Sequence, residues 1–125
     1  MQKTTLGNSD LEVSQLCLGT MTFGTQTDEE DAHRQIEIAL DAGINFVDTA
    51  EMYPVNPVRA ETIGKTEEIV GCWIASSGRR DEAVVATKIV GSNGGHTRGG
   101  RGIDGETIVE AVEGSLRRLQ TDVID

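Results

Sequence analysis

The sequence predicts an α/β fold in which short parallel strands alternate with helices. Short runs of Val, Ile, Leu and Ala recur four times, and a stretch with helical spacing of apolar residues separates each from the next. Glycines stand where the first two helical stretches end, as helix exits require. Hydrophobic residues make up 37% of the chain but aromatics only 3%. A core built from aliphatic side chains suits βα units better than an aromatic-rich sandwich. A length of 125 residues fits one domain, 1–125.

Thr4 to Val13 reads as two short strands around a Gly7-Asn8-Ser9 turn, a small hairpin outside the core. The first buried strand covers Gln15 to Gly19 and runs into the loop Thr20-Met21-Thr22-Phe23-Gly24. A helix follows, with Thr27 as N-cap and Glu30 completing a capping box. Its apolar face is Ala32, Ile36, Ala39 and Leu40, and Gly43 closes it. Ile44 to Val47 forms the next strand, ending at Asp48.

The cycle repeats. Thr66-Glu67-Glu68 opens a second helix, with Ile69, Val70, Trp73 and Ile74 as its apolar face and Gly78 at its exit. Ala83 to Ala86 is the third strand, ending at Thr87-Lys88. A third helix spans roughly Glu106 to Leu119, capped by Asp104, with Ile108, Val112, Leu116 and Leu119 facing inward. A last strand begins at Asp122-Val123-Ile124. Apolar strands joined by helices pair in parallel through right-handed crossovers. An open doubly wound sheet and half of a (β/α)8 barrel, which needs about 250 residues, both fit that pattern.

Charge and composition narrow the function. With 21 acidic and 11 basic residues the chain carries a formal charge of -10. It repels phosphate backbones and anionic lipid, so neither nucleic acid nor membrane is an expected partner. There is no apolar run of about 18 residues and no signal-peptide pattern, which points to a cytoplasmic location. Cys17 and Cys72 lie in apolar runs and are expected to be reduced packing residues. His33 and His96 have no second ligand at metal spacing, so no metal site is expected.

The polar residues at strand ends are more telling. Gly19-Thr20, Asp48 and Lys88 each fall at the carboxyl end of a different strand. A parallel sheet brings such ends to one face, where barrels carry their chemistry. Asp48 and Lys88 would form an ion pair there, either as a structural salt bridge or as part of a working site. Tyr53, the only tyrosine, lies on the loop over that face. A neighbouring cation favours phenolate, so a phenol beside Lys88 is suited to giving its proton to a carbonyl oxygen.

These segments carry a resemblance. Gly19-Thr20-Met21-Thr22-Phe23-Gly24, Asn45 to Tyr53, Ala86-Thr87-Lys88 and Ser115 to Asp122 resemble, in order, successive signatures of the aldo-keto reductases. Met52-Tyr53-Pro54-Val55 and the long loop after Lys88 look most like the bacterial Tas-type branch of that family. The resemblance implies the amino-terminal half of a (β/α)8 TIM barrel: about four parallel strands and three helices preceded by a short β-hairpin, truncated at strand four. It implies an oxidoreductase that uses NADPH to reduce aldehydes and ketones. Carried over, Tyr53 would be the general acid, supported by Lys88 and Asp48. Gly19, Thr20, Met21 and Asp48 would approach the NADP nicotinamide and its ribose. The family's catalytic histidine after strand four has no counterpart here, so the isolated chain is expected to be inactive. Open sheet edges predict self-association.

Two alternatives remain. One is a non-catalytic half barrel that assembles with another chain or serves as a regulatory subunit. The other is a doubly wound nucleotide-binding domain using Gly100-Arg101-Gly102-Ile103-Asp104-Gly105, which satisfies G-x-G-x-x-G. That motif starts about a dozen residues after the strand it should follow directly. The Gly91-to-Gly102 stretch therefore reads better as a mobile, solvated loop.

Overall fold

The computed structural model describes residues 1–92 and 96–125. An antiparallel hairpin opens the chain, β1 (Lys3–Thr5) against β2 (Glu12–Ser14). A parallel sheet follows, in the order β3 (Cys17–Gly19), β4 (Phe46–Asp48) and β5 (Val84–Ala86). Helix α1 (Glu29–Asp41) links the first pair and α2 (Lys65–Ser77) the second, while α3 (Gly105–Leu119) follows β5. Single 3-10 turns occur at Arg80–Glu82 and Arg98–Gly100.

Successive side chains of a strand point to opposite faces. One row, Leu18, Val47 and Val85, faces the helices, and Val47 and Val85 are buried against Ile36, Val70 and their neighbours in the core. The other face carries Cys17, Phe46 and Val84, then Gly19, Asp48 and Ala86. Nothing among the described residues covers it: Cys17 is exposed, and Phe46 and Val84 are only half-buried. The strands are apolar on both faces, as expected, but only one face is packed. Cys17 is therefore a free thiol on an open sheet face, not the packing residue its apolar run suggested. Cys72, also free, is partly buried on α2.

Cap chemistry sets the helix ends. The N-cap of α1 is Asp28, not Thr27: its carboxylate accepts the Asp31 amide at 2.9 Å. A charged acceptor suits the positive helix start better than a hydroxyl. The Thr27 hydroxyl instead meets that of Thr22 at 3.2 Å, inside the preceding loop. Asp104 caps α3 as expected, in a reciprocal capping box with Thr107. Gly78 ends α2 with φ of 68°, a left-handed turn that glycine adopts without a side-chain clash.

The buried face of α3 differs from expectation. Ile108 and Val112 are exposed, whereas Thr107, Ala111, Gly114, Ser115 and Leu119 are buried. At its carboxyl end α3 lies against α2, where a Cβ added at Gly71 would lie 2.1 Å from the Arg118 carbonyl oxygen. The expected fourth strand also differs, because Asp122 to Ile124 forms no strand. Asp125 docks beside β5 instead. Its amide donates to the Val85 carbonyl at 3.2 Å, and its Oδ2 accepts from the Val85 amide at 2.9 Å and from Arg80 at 2.7 Å. A side chain thus takes up the amide that a parallel ladder would pair with backbone.

A charged cluster ties α1 to α2. Glu37 accepts from Trp73 Nε1 at 2.7 Å and pairs with Arg79, which also holds Glu82 and Asp41. The Trp73 indole and then Arg79 hold the Glu37 carboxyl below its ordinary value of about 4.5. The Thr107 amide likewise holds Asp104 below about 3.8. Groups with a depressed folded pKa stabilise the fold above their unfolded value and lose that contribution as pH falls through the folded one. The thermal midpoint should therefore be level above about pH 5 and fall below about pH 4. Glu37→Gln should make that fall shallower, measured by circular dichroism melts across pH. An unchanged slope would remove Glu37 from the account. Among the described residues, no helix is long and apolar enough to cross a membrane.

Candidate active site

The parallel register lines up Gly19, Asp48 and Ala86 at the carboxyl end of the sheet. Asp48 is the last residue of β4, and Lys88 lies two residues beyond β5. The Lys88 ammonium donates to Asp48 Oδ1 at 2.6 Å and to the Thr49 carbonyl at 2.7 Å. It also stands 4.9 Å from the centroid of the Tyr53 ring. Two of its donors thus meet oxygen acceptors while the charge faces a π surface, a favourable contact for a cation. The acid, the amine and the phenol, spread over 40 positions of sequence, meet on one rim.

The pair is not deeply buried. The side chains of Lys88 and Asp48 are 47% and 36% exposed, on the uncovered face of the sheet. Thr20 is fully buried, and its hydroxyl and amide both donate to the Asp48 carbonyl, at 2.8 and 3.1 Å. Its side chain therefore locks the exit of β3 to the end of β4. Gly19 and Met21 remain open at the same rim. A Cβ at Gly19 would meet nothing within 4 Å, and Met21 is 42% exposed.

Two buried groups behind the rim were missed in the sequence. Glu67 on α2 is fully buried, accepting from the Thr87 hydroxyl at 2.6 Å and Arg118 Nε at 2.7 Å. It lies on the same helix face as Val70, Gly71 and Ile74, and a charge on that face was the available signal. Glu51 and Arg98 form a second pair at 2.6 Å, with side chains only 3% and 9% exposed. Arg98 belongs to the glycine-rich stretch expected to be mobile and solvated. In the structure it is pinned, because its guanidinium also donates to the Val90 carbonyl at 2.7 Å. Residues 93–95 of that stretch lie outside the described residues. The dinucleotide-type motif is not built as one either. β5 ends at Ala86, Gly100 closes a 3-10 turn, and Gly105 is already the first residue of α3. His33 bonds the Ile69 carbonyl at 2.9 Å, a packing role between α1 and α2.

A family model described as the aldo/keto reductase family matches residues 15–125. The chain belongs to the aldo/keto reductase family. Protein tas of Escherichia coli (strain K12) is 48% identical over 128 residues, covering 100% of this chain and 37% of that protein. The uncharacterized oxidoreductase YrpG of Bacillus subtilis (strain 168) is 44% identical over 129 residues, covering 100% and 38%. Among solved structures, the holo form of aldo-keto reductase AKR11C1 from Bacillus halodurans superposes with a TM-score of 0.78 at 40% identity, over 100% of this chain and 38% of that one. This aldo/keto reductase chain thus spans a little over a third of the length of the relatives it matches. The choice between an open sheet and a barrel falls to the barrel: β3 to β5 and their helices are part of an aldo-keto reductase (β/α)8 barrel. The bare sheet face lies opposite the helices, the side that faces inward in a (β/α)8 barrel.

Proposed function

We propose that this chain supplies the first catalytic rim of an NADPH-dependent reductase that converts aldehydes and ketones to alcohols. The observation that carries this is the single cluster of Tyr53, Lys88 and Asp48 at the carboxyl end of the sheet. Tyr53 is the general acid, giving its phenolic proton to the carbonyl oxygen as negative charge builds there. The Lys88 ammonium beside the ring stabilises the charge left on the phenol, and Asp48 holds that ammonium in place.

The rim suits the nicotinamide end of NADPH. Open space stands over Gly19, Met21 is exposed beside it, and the Asp48 carboxylate offers acceptors for a ribose hydroxyl. Gly19, Thr20, Met21 and Asp48 would hold the cofactor there, with Thr20 acting through the backbone it fixes. When bound, the cofactor supplies the hydride and the protein supplies placement and electrostatics.

The test is carbonyl-dependent consumption of NADPH by the protein that carries this chain, with a short aldehyde as probe. Turnover is expected. Lys88→Met should lower it by about 100-fold or more, the range that an active-site charge supplies. Full turnover by that variant would remove Lys88 from the chemistry, and absence of turnover in the parent protein would overturn the reading.

A further inference from the structure

The segment that follows β5 has to deliver Lys88 to Asp48 while the loop after β4 delivers Tyr53 to Lys88. Four hydrogen bonds build a ring behind these segments, and Glu51 takes part in three of them. Its amide donates to the Lys88 carbonyl at 3.2 Å, and its Oε1 accepts from the Val90 amide at 2.7 Å. Arg98 closes the ring by donating to Glu51 Oε2 at 2.6 Å and to the Val90 carbonyl at 2.7 Å. Glu51 is two residues before Tyr53, and Val90 is two after Lys88. The ring therefore grips both reactive side chains from behind.

Arg98 holds this position against three unfavourable terms. Its side chain is 91% buried with its charge. Its Nε is buried with no hydrogen-bond partner among the described residues. Its φ is 46°, a left-handed conformation that non-glycine residues adopt only under strain. A buried ion pair contributes little net stability, and replacing one by apolar groups is often neutral or stabilising. Stability alone is a poor reason for this arrangement, whereas fixed geometry at a reactive rim is a good one.

We infer that Arg98 and Glu51 are positioning residues: a latch from the glycine-rich loop that sets the Lys88 ammonium against the Tyr53 ring. The inference rests on the proposed roles of those two groups. It makes Arg98 a working part of the rim.

The experiment compares the parent protein with Arg98→Met and with the double variant Glu51→Gln/Arg98→Met. The double variant leaves no unpaired charge in the interior, so it folds even if the single variant is impaired. Both are expected to lose about 10- to 100-fold in kcat, the scale of a displacement of about 1 Å at reacting groups. The KM for the aldehyde and, for the double variant, the thermal midpoint should hold. Arg98→Lys, which can still reach Glu51, should recover part of kcat. Nuclear Overhauser contacts between the Lys88 methylenes and the Tyr53 ring should weaken in the double variant, with or without turnover. A double variant with parental kcat, or with those contacts intact, overturns the inference. If the parent protein has no turnover but the contacts still weaken, the latch stands and the reductase reading falls.

Discussion

Tyr53→Phe is expected to reduce carbonyl-dependent NADPH consumption by about 10²- to 10⁴-fold, the contribution of one positioned proton donor. The NADPH dissociation constant should change little. The selectivity follows from what phenylalanine keeps. The ring remains a π surface for Lys88, which holds its two oxygen acceptors at 2.6 and 2.7 Å, so the rim keeps its shape. Only the transferable proton is gone, which lowers kcat and kcat/KM together. Lys88→Met, by contrast, also frees the Asp48 carboxylate and the Thr49 carbonyl, and should disturb cofactor affinity as well as rate. Steady-state kinetics with a parallel NADPH fluorescence titration separates the two. A Tyr53→Phe protein that retains a tenth of the parental rate would end the general-acid assignment.

Gly71→Ala should be the most destabilising small substitution in the fold. A helix interior ordinarily gains about 1 kcal/mol from this exchange. Here the added carbon would sit 2.1 Å from the Arg118 oxygen and under 3 Å from two backbone atoms of Leu119. Backbone cannot rotate away as a side chain can, so α3 must move as a body. Its displacement would open the site of Leu119, fully buried, and stretch the Arg118–Glu67 pair. Overpacking of this kind costs about 3 kcal/mol or more, which outweighs the helical gain. A drop of roughly 10 °C in the thermal midpoint is expected. Gly105→Ala is the control, since its added Cβ meets nothing within 4 Å and should leave the midpoint within about 2 °C. Equal midpoints for the two variants would show that α2 and α3 are not held at contact distance.

The element order was legible because strands and helices impose different periods on apolar residues, and polar groups end each strand abruptly at Gly19-Thr20, Asp48 and Lys88. Parallel pairing then brings such ends together whatever their separation in sequence, which is why the rim could be foreseen. Family signatures added what periodicity could not, namely the barrel and the partnership of Tyr53 with Lys88. The face of α3 was not legible. Ile108 and Val112 make a sound helical stripe, but the row through Thr107, Ala111, Gly114 and Ser115 is the one that is buried, and its small and polar side chains give no hydrophobic signal. Arg98 was hidden because glycine-rich sequence reads as solvated loop, and nothing local reports that its guanidinium turns inward to Glu51. Thr27 was a reasonable cap that lost to a carboxylate one position later.

The open side of the sheet bears on the Asp48–Lys88 ion pair itself. Asp48 and Lys88 stand partly in water, where their mutual attraction is damped by a high dielectric constant. A layer packed over Cys17, Phe46 and Val84 would also drive solvent from that row, and falling from bulk water to a protein-like medium raises the same attraction roughly fourfold. Covering that face and strengthening the Asp48–Lys88 pair would therefore be one event.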